Sequence, residues 1–268
     1  MKIEKIKTLI KSTPLVYFFI KLKSLFVKPR AQNDEDLIIR RLLLRYHIPE
    51  TFIEFGFSGW EFNCARLVKD WEGLLVDGDE YNIKIARCIF DKNISVQKAW
   101  LTLDNLGLFE NWLGNRSLGI LSVDVDGNDY WFLEKLIKLK PALIIAEYNS
   151  SFGLRPLTVE YDENFDRRKK HPSWTYFGAS LKALDYLAGL NGYSLIEISN
   201  SGVNAFFVRN DFLHEQDLIL KPEFVFREKI FNDCSRPAEQ FEKIKNLPFV
   251  NVTKNSHGSE PLRISHED

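Results

Sequence analysis

The sequence predicts an α/β fold, a mostly parallel sheet with helices on both faces that is closed by a C-terminal antiparallel hairpin. Three observations predict it. Between residues 51 and 146, short strand-like apolar runs alternate with helical patterns at the pitch of βαβ units. The run Gly73-Leu74-Leu75-Val76-Asp77 is apolar without alternation, as a strand covered on both faces must be. Finally, residues 193–198 and 203–208 are two strand-like runs joined by Ser199–Gly202, which is a hairpin pattern.

The elements follow in order. Residues 1–30 carry eight Lys and Arg against Glu4 alone, around an apolar stretch from Pro14 to Ile20. No small-residue cleavage site follows, so a signal peptide is not expected. This segment, with a boundary near residue 33, either lies on an anionic membrane surface or packs as a helix on its own domain or a partner. Residues 34–46 have apolar positions at helical spacing and acids in the first turn. Residues 51–55 make a first strand ending at Gly56, and 59–70 are expected to be a helix. Residues 73–77 and 94–99 are the second and third strands, with a helix over 80–90 between them. A fourth strand (118–123) leads into a helix (128–138), and a fifth strand covers 142–146. Residues 151–174 are charged and aperiodic, which predicts an exposed loop or lid. A helix over 177–190 stops near Gly192 and leads to the hairpin. The catalytic domain then spans 34–214, and 215–268 is a partly helical appendage with a disordered end after about residue 254.

Composition narrows the function. The chain of 268 residues is 45% hydrophobic and 13% aromatic, an ordinary globular balance with 21 Phe. A net charge of −1 argues against a dedicated nucleic-acid binder. Outside the basic N-terminus, 28 Lys and Arg face 36 Asp and Glu, a net of −8. Cys64, Cys88 and Cys234 are scattered and odd in number, so no disulfide framework is expected and the cytoplasm is the expected compartment, with the basic segment at the inner face of its membrane. No apolar run reaches membrane-spanning length.

Four constellations can carry chemistry. The turn Glu54-Phe55-Gly56-Phe57-Ser58-Gly59 leaves a strand and lacks the third glycine of a dinucleotide fingerprint. Glycine there lets a ligand approach the backbone. Asp77, 21 residues after Gly56 and at the end of the next strand, is placed to accept from a ribose hydroxyl pair, and Asp79 offers the same group two residues later. Asp124-Val125-Asp126-Gly127-Asn128-Asp129 ends the fourth strand. Its carboxylates repel one another unless a proton or a hard cation such as Mg²⁺ or Mn²⁺ intervenes, while Asn128 or Asp129 can cap the following helix. Glu147 and Asn149 leave the fifth strand and should lie beside Asp124. In the lid, Arg155, Arg167, Arg168, Lys169, Lys170, Trp174 and Tyr176 suit a phosphate, carboxylate or sugar. His171 is the lid's group titrating near neutrality and a general-base candidate, with Asp126 the alternative.

These residues resemble a known family. EFGFSG, LLVDGD, SVDVDGNDYW and the closing VNAFFVR look like a class I S-adenosylmethionine-dependent methyltransferase, closest to the FkbM-like group associated with polysaccharide biosynthesis. The resemblance covers about residues 48–210 and implies a Rossmann-like seven-stranded sheet whose seventh strand is antiparallel. It implies that Glu54, Gly56, Ser58 and Gly59 line the methionine side of the cofactor, that Asp77 holds the ribose, and that Ala99 and Trp100 lie near the adenine. By similarity to metal-dependent O-methyltransferases, Asp124, Glu147 and Asn149 would hold a metal. The expected acceptor is a sugar hydroxyl on a small-molecule or lipid-linked carrier. Two other readings compete: a glycosyltransferase using Asp124-Val125-Asp126 as a metal-binding DxD, and a non-catalytic methyltransferase-like binding module.

Overall fold

The computed structural model describes residues 14–230 and 235–253. The first part of the basic segment, Cys234, His257, His266 and the expected disordered end lie outside the described residues.

The main sheet has seven strands: β1 (Thr51–Phe55), β2 (Glu72–Asp77), β3 (Ile94–Lys98), β4 (Ile120–Val123), β5 (Leu143–Glu147), β7 (Tyr193–Ile198) and β8 (Asn204–Arg209). Their order is β3-β2-β1-β4-β5-β8-β7. Neighbours from β3 to β5 are parallel, and β8 pairs antiparallel with both β5 and β7. A short β6 (Leu157–Val159) pairs antiparallel with β9 (Phe249–Asn251) in a separate two-stranded sheet. This is the Rossmann-like arrangement that the sequence predicts, with the single reversed strand inserted beside β5.

The central strands are buried on both faces, which explains why they read as unbroken apolar runs. One face carries Ile53, Phe55, Leu74, Leu121 and Ile144, packed with α4 (Gly107–Leu113), α5 (Asp129–Leu136) and α6 (Leu181–Leu190). The other carries Phe52, Leu75, Ile120, Ile145 and Phe206 against α2 (Glu35–Arg45), α3 (Glu80–Ile89) and residues 57–71. An N-terminal helix α1 (Pro14–Phe26) lies on α3. A last helix, α7 (Pro237–Glu242), precedes β9.

Three local expectations are corrected, and one helix is added. Residues 59–70 form no helix: 59–60 bend, Glu61 bridges to Arg30, and 63–70 form consecutive turns. Their backbone bonds close over three residues, as in Ala65 N–H to Phe62 and Leu67 N–H to Cys64, and the buried Glu54 carboxylate captures the N–H groups of Asn63 and Cys64. Helix α4 lies in a stretch where the sequence pattern announces no helix. The expected helix over 177–190 begins at Leu181, where the Ser180 hydroxyl accepts from Ala183 N–H. The stretch 151–174 is not simply an exposed loop. Phe152, Leu157, Val159 and Phe165 pack with Tyr176, Phe177, Ile244 and Phe249 in a small third core. Its apolar residues come from two distant segments, so no local periodicity announces it.

Candidate active site

A cavity of about 700 Å³ opens at the carboxyl ends of β1, β2, β3 and β4. This is where open α/β sheets bind ligands, because the strand order reverses between β1 and β4 and the connections diverge.

The first wall is the turn after β1. Gly56 has φ +77°, and a Cβ there would lie 1.5 Å from the Asp124 carbonyl oxygen. Glycine is required both by the left-handed backbone and by the packing of this turn on the loop after β4. Gly56 lines the cavity, but its motif partners do not. Glu54 is buried in the core, with its two oxygens bonded to Asn63 and Cys64 N–H at 2.7 and 2.8 Å. Burial pushes its carboxyl up to about 7 against those two donors. Ser58 is exposed, and its N–H bonds to the Glu61 carbonyl. Gly59 serves close packing, since a Cβ there would meet Ile85 at 2.7 Å. The motif thus builds the wall and supplies one lining residue.

The second wall is the end of β2. Asp77, Gly78 and Asp79 line the cavity with Asn82 of α3. Asp77 Oδ1 accepts from Asp79 N–H at 2.6 Å and from the Asn82 amide at 3.3 Å. Among the described residues Oδ2 has no donor. Burial raises the Asp77 carboxyl above its ordinary value. Asp79 caps α3, accepting from Tyr81 N–H at 2.6 Å. Of the two acids offered by the sequence, Asp77 is therefore the one with an oxygen to spare. Asn82 is a lining residue that sequence reasoning missed, and its helical position three residues beyond Asp79 was the available signal.

Ala99, Trp100 and Leu101 form the third wall. The Trp100 indole N–H donates to the Glu163 carbonyl at 2.9 Å, tying this wall to the segment above the cavity. That segment adds Phe165, Asp166, Arg167, Arg168 and Trp174. The Arg167 guanidinium pairs with Asp126 and lies over the Phe177 ring at 3.5 Å. His171 is not among the lining residues. Its Nδ1 is 2.7 Å from the Ser173 hydroxyl, within the local turn. The general-base expectation for His171 is thus not met by its position.

The loop after β4 forms the floor. Asp129 bonds back to Val125 and Gly127 N–H at 2.8 Å each, and burial lifts its carboxyl to about 6. Asn128 exchanges hydrogen bonds with Asp162 of the covering segment instead of capping α5. Asp126 has φ +55°, an uncommon backbone for a residue other than glycine. Asp124, Asp126 and Glu147 present oxygens that lie within 4.8 Å of one another. The Asp124 and Glu147 carboxyls are both held well above the usual carboxylate range, first by burial and then by the neighbouring acids. Glu147 Oε2 is buried with no hydrogen-bond partner among the described residues.

The Asn149 amide donates to the Thr175 and Phe177 carbonyls, and its oxygen accepts from Ser151 N–H. It braces the segment that returns from the cavity roof. Of the expected Asp124, Glu147 and Asn149, the two acids converge, and Asp126 joins them as a third carboxylate.

No family model matches the sequence, and no curated protein matches it. Among solved structures, the N-terminal domain of EvdMO1 with SAH bound is 15% identical, with a TM-score of 0.42 over 66% of this chain and 80% of that one. A Staphylococcus aureus protein assigned as a caffeoyl-CoA O-methyltransferase is 13% identical, with a TM-score of 0.45 over 78% of this chain and 98% of that one. An Anabaena variabilis SAM-dependent methyltransferase is 10% identical, with a TM-score of 0.41 over 71% of this chain and 92% of that one. Likenesses this distant carry no argument about activity, which must come from the site.

Proposed function

We propose that this protein is an S-adenosylmethionine-dependent O-methyltransferase acting on a sugar hydroxyl in polysaccharide or glycoconjugate biosynthesis. The observation that carries the reading is the sequence of groups along one cavity: the Gly56 turn, the unpaired Asp77 oxygen, then Ala99 and Trp100. This row suits an elongated ligand with an amino-acid end, a ribose and a planar base. Gly56 allows close backbone approach, Asp77 takes the ribose hydroxyls, and Trp100 offers an aromatic surface.

Bound there, S-adenosylmethionine supplies an electrophilic methyl group on a sulfonium. The chain's own residues supply position and a base. Asp126 and Arg167 pair at the cavity wall, and Asp126 presents an oxygen within 4.8 Å of oxygens of Asp124 and Glu147, which are not among the lining residues. The half-buried Asp124 and the buried Glu147, this close, hold a proton between them more readily than two charges. Asp126, the acid that lines the cavity, takes the acceptor hydroxyl's proton as the oxygen–methyl bond forms and the carbon–sulfur bond breaks, its electron pair remaining on sulfur. Trp174, Arg167 and Arg168 at the rim suit a sugar ring and an anionic carrier group.

Asp124, Asp126 and Glu147 also fit Mg²⁺ or Mn²⁺, since three carboxylates converge and the buried Glu147 Oε2 lacks a partner. A divalent ion there would lower the acceptor hydroxyl's pKa. The test is a thermal-shift series followed by activity with and without chelator. S-adenosylmethionine or its demethylated product should raise the melting temperature, and NAD should not. A response to nucleotide sugars alone would move the reading to a glycosyltransferase built on Asp124 and Asp126. Activity indifferent to chelation would assign the base to Asp126 alone.

A further inference from the structure

Helix α1 is amphipathic, and its apolar face points away from the protein. Ile20 is 5% exposed and faces the body, whereas Phe18 is 61%, Leu25 70% and Phe26 82% exposed. At about 100° per residue, Phe18, Phe19, Leu22, Leu25 and Phe26 fall within an arc of about 120°. Ile20 lies opposite that arc, and Lys21 and Lys23 lie on its two edges. The helix is anchored from behind: it packs on α3, and the Lys23 ammonium lies 4.4 Å from the Trp60 ring centroid. Trp60 in turn accepts from Arg30 N–H through its carbonyl, so the stretch that follows α1 is fastened to the turn after Gly56.

A helix that packs on its own domain for stability turns its large apolar residues inward. Here the arrangement is reversed, and five large apolar side chains meet solvent. The face contains no polar group that would select a partner by hydrogen bonding. Its flanks are cationic, and Lys28 and Arg30 follow directly, whereas residues 31–268 carry a net charge of −8. A second copy of this chain would set lysine flank against lysine flank. An anionic bilayer satisfies both features, burying the aromatic and leucine side chains at the acyl boundary while the lysines reach phosphate.

We infer that α1 seats the protein on anionic membranes through Phe18, Phe19, Leu22, Leu25 and Phe26, with Lys21 on the lipid phosphates. The inference does not rest on methyl transfer.

Co-sedimentation of the full chain with vesicles tests it. The protein should pellet with mixed phosphatidylcholine and phosphatidylglycerol vesicles, bind phosphatidylcholine alone more weakly, and release as salt rises. The triple variant F18S/L22S/F26S should lose at least about tenfold in partitioning with an unchanged melting temperature, since the three side chains are exposed. K21E should weaken the preference for anionic lipid and retain the fold. Equal partitioning of the triple variant and the native chain would overturn the inference. A concentration-dependent dimer in light scattering that the triple variant abolishes, without vesicle binding by the native chain, would also overturn it and make the face a self-association surface.

Discussion

Asp77 has one carboxylate oxygen engaged and one to spare. Its Oδ1 is spent on Asp79 N–H and Asn82, which fix the carboxylate in the cavity lining, and in the proposed reading the other oxygen takes the ribose. Asp77→Ala should therefore weaken S-adenosylmethionine binding by about 1–3 kcal/mol, the scale of a charge-assisted hydrogen bond, as read by calorimetry. Unchanged affinity would dismiss the ribose role. Asp126 is used differently in the proposed reaction, as the base that lines the cavity. Asp126→Asn should lower turnover by about 10²–10⁴-fold, the range for a lost general base, while cofactor affinity changes little. A variant that loses both together would place Asp126 in binding rather than in the reaction.

At the scale of elements, the pairing of β6 with β9 is the least expected feature and controls the cavity roof. Phe249 of β9 packs edge-on against Phe152 and Tyr176 at 5.2 Å each, and these rings hold the covering segment from below. Phe249→Ala should cost about 3–5 kcal/mol if the third core behaves as part of the main one. The loss should be felt first in the roof, because that core is small. Limited trypsin digestion supplies the readout, since Arg167–Lys170 places four basic residues in a single turn, three of them exposed. Faster cleavage at 167–170 is expected well below the melting temperature. Unchanged cleavage would show that β9 does not support the roof.

For the whole molecule, the buried carboxyls set how stability depends on pH. Glu54 has a folded value of about 7, raised by burial above its ordinary value of 4.5. A group raised in the folded state holds its proton more tightly there than in the unfolded chain. Its contribution is present below the unfolded value and is lost as pH rises through the folded one, by about 1.4 kcal/mol for each pH unit separating the two values. Asp129, lifted to about 6, acts in the same direction. With Glu147 raised to about 8, stability should fall from about pH 4 to about pH 8. Glu54→Gln should be destabilised at the acid end, where it loses one of two acceptor oxygens, and should recover relative to the native chain as pH rises. A parallel pH dependence in the two proteins would remove Glu54 from the account.

Local chemistry made much of this legible from the sequence alone. Doubly covered strands write apolar runs, and the Ser199–Gly202 turn between two strand patterns writes a hairpin, so strand number, the reversed strand and the ligand-bearing end of the sheet all follow from local pattern. Gly56, Asp77, Asp79, Ala99, Trp100 and Asp126 were legible because they leave strand ends in register, and they do line the cavity. What pattern does not encode is the direction of a side chain that has competing partners. Glu54 turned inward because Asn63 and Cys64 N–H groups needed an acceptor, and that choice replaced the expected helix over 59–70 with turns. Asn149 went to the Thr175 and Phe177 carbonyls, and His171 to Ser173, because those groups lay nearer than the site. The β6–β9 sheet joins residues about ninety positions apart, a separation over which no local periodicity carries information. Local propensity and burial pattern therefore determined the frame, while the competition for hydrogen-bond partners, decided only once the chain is folded, determined which acids face the ligand.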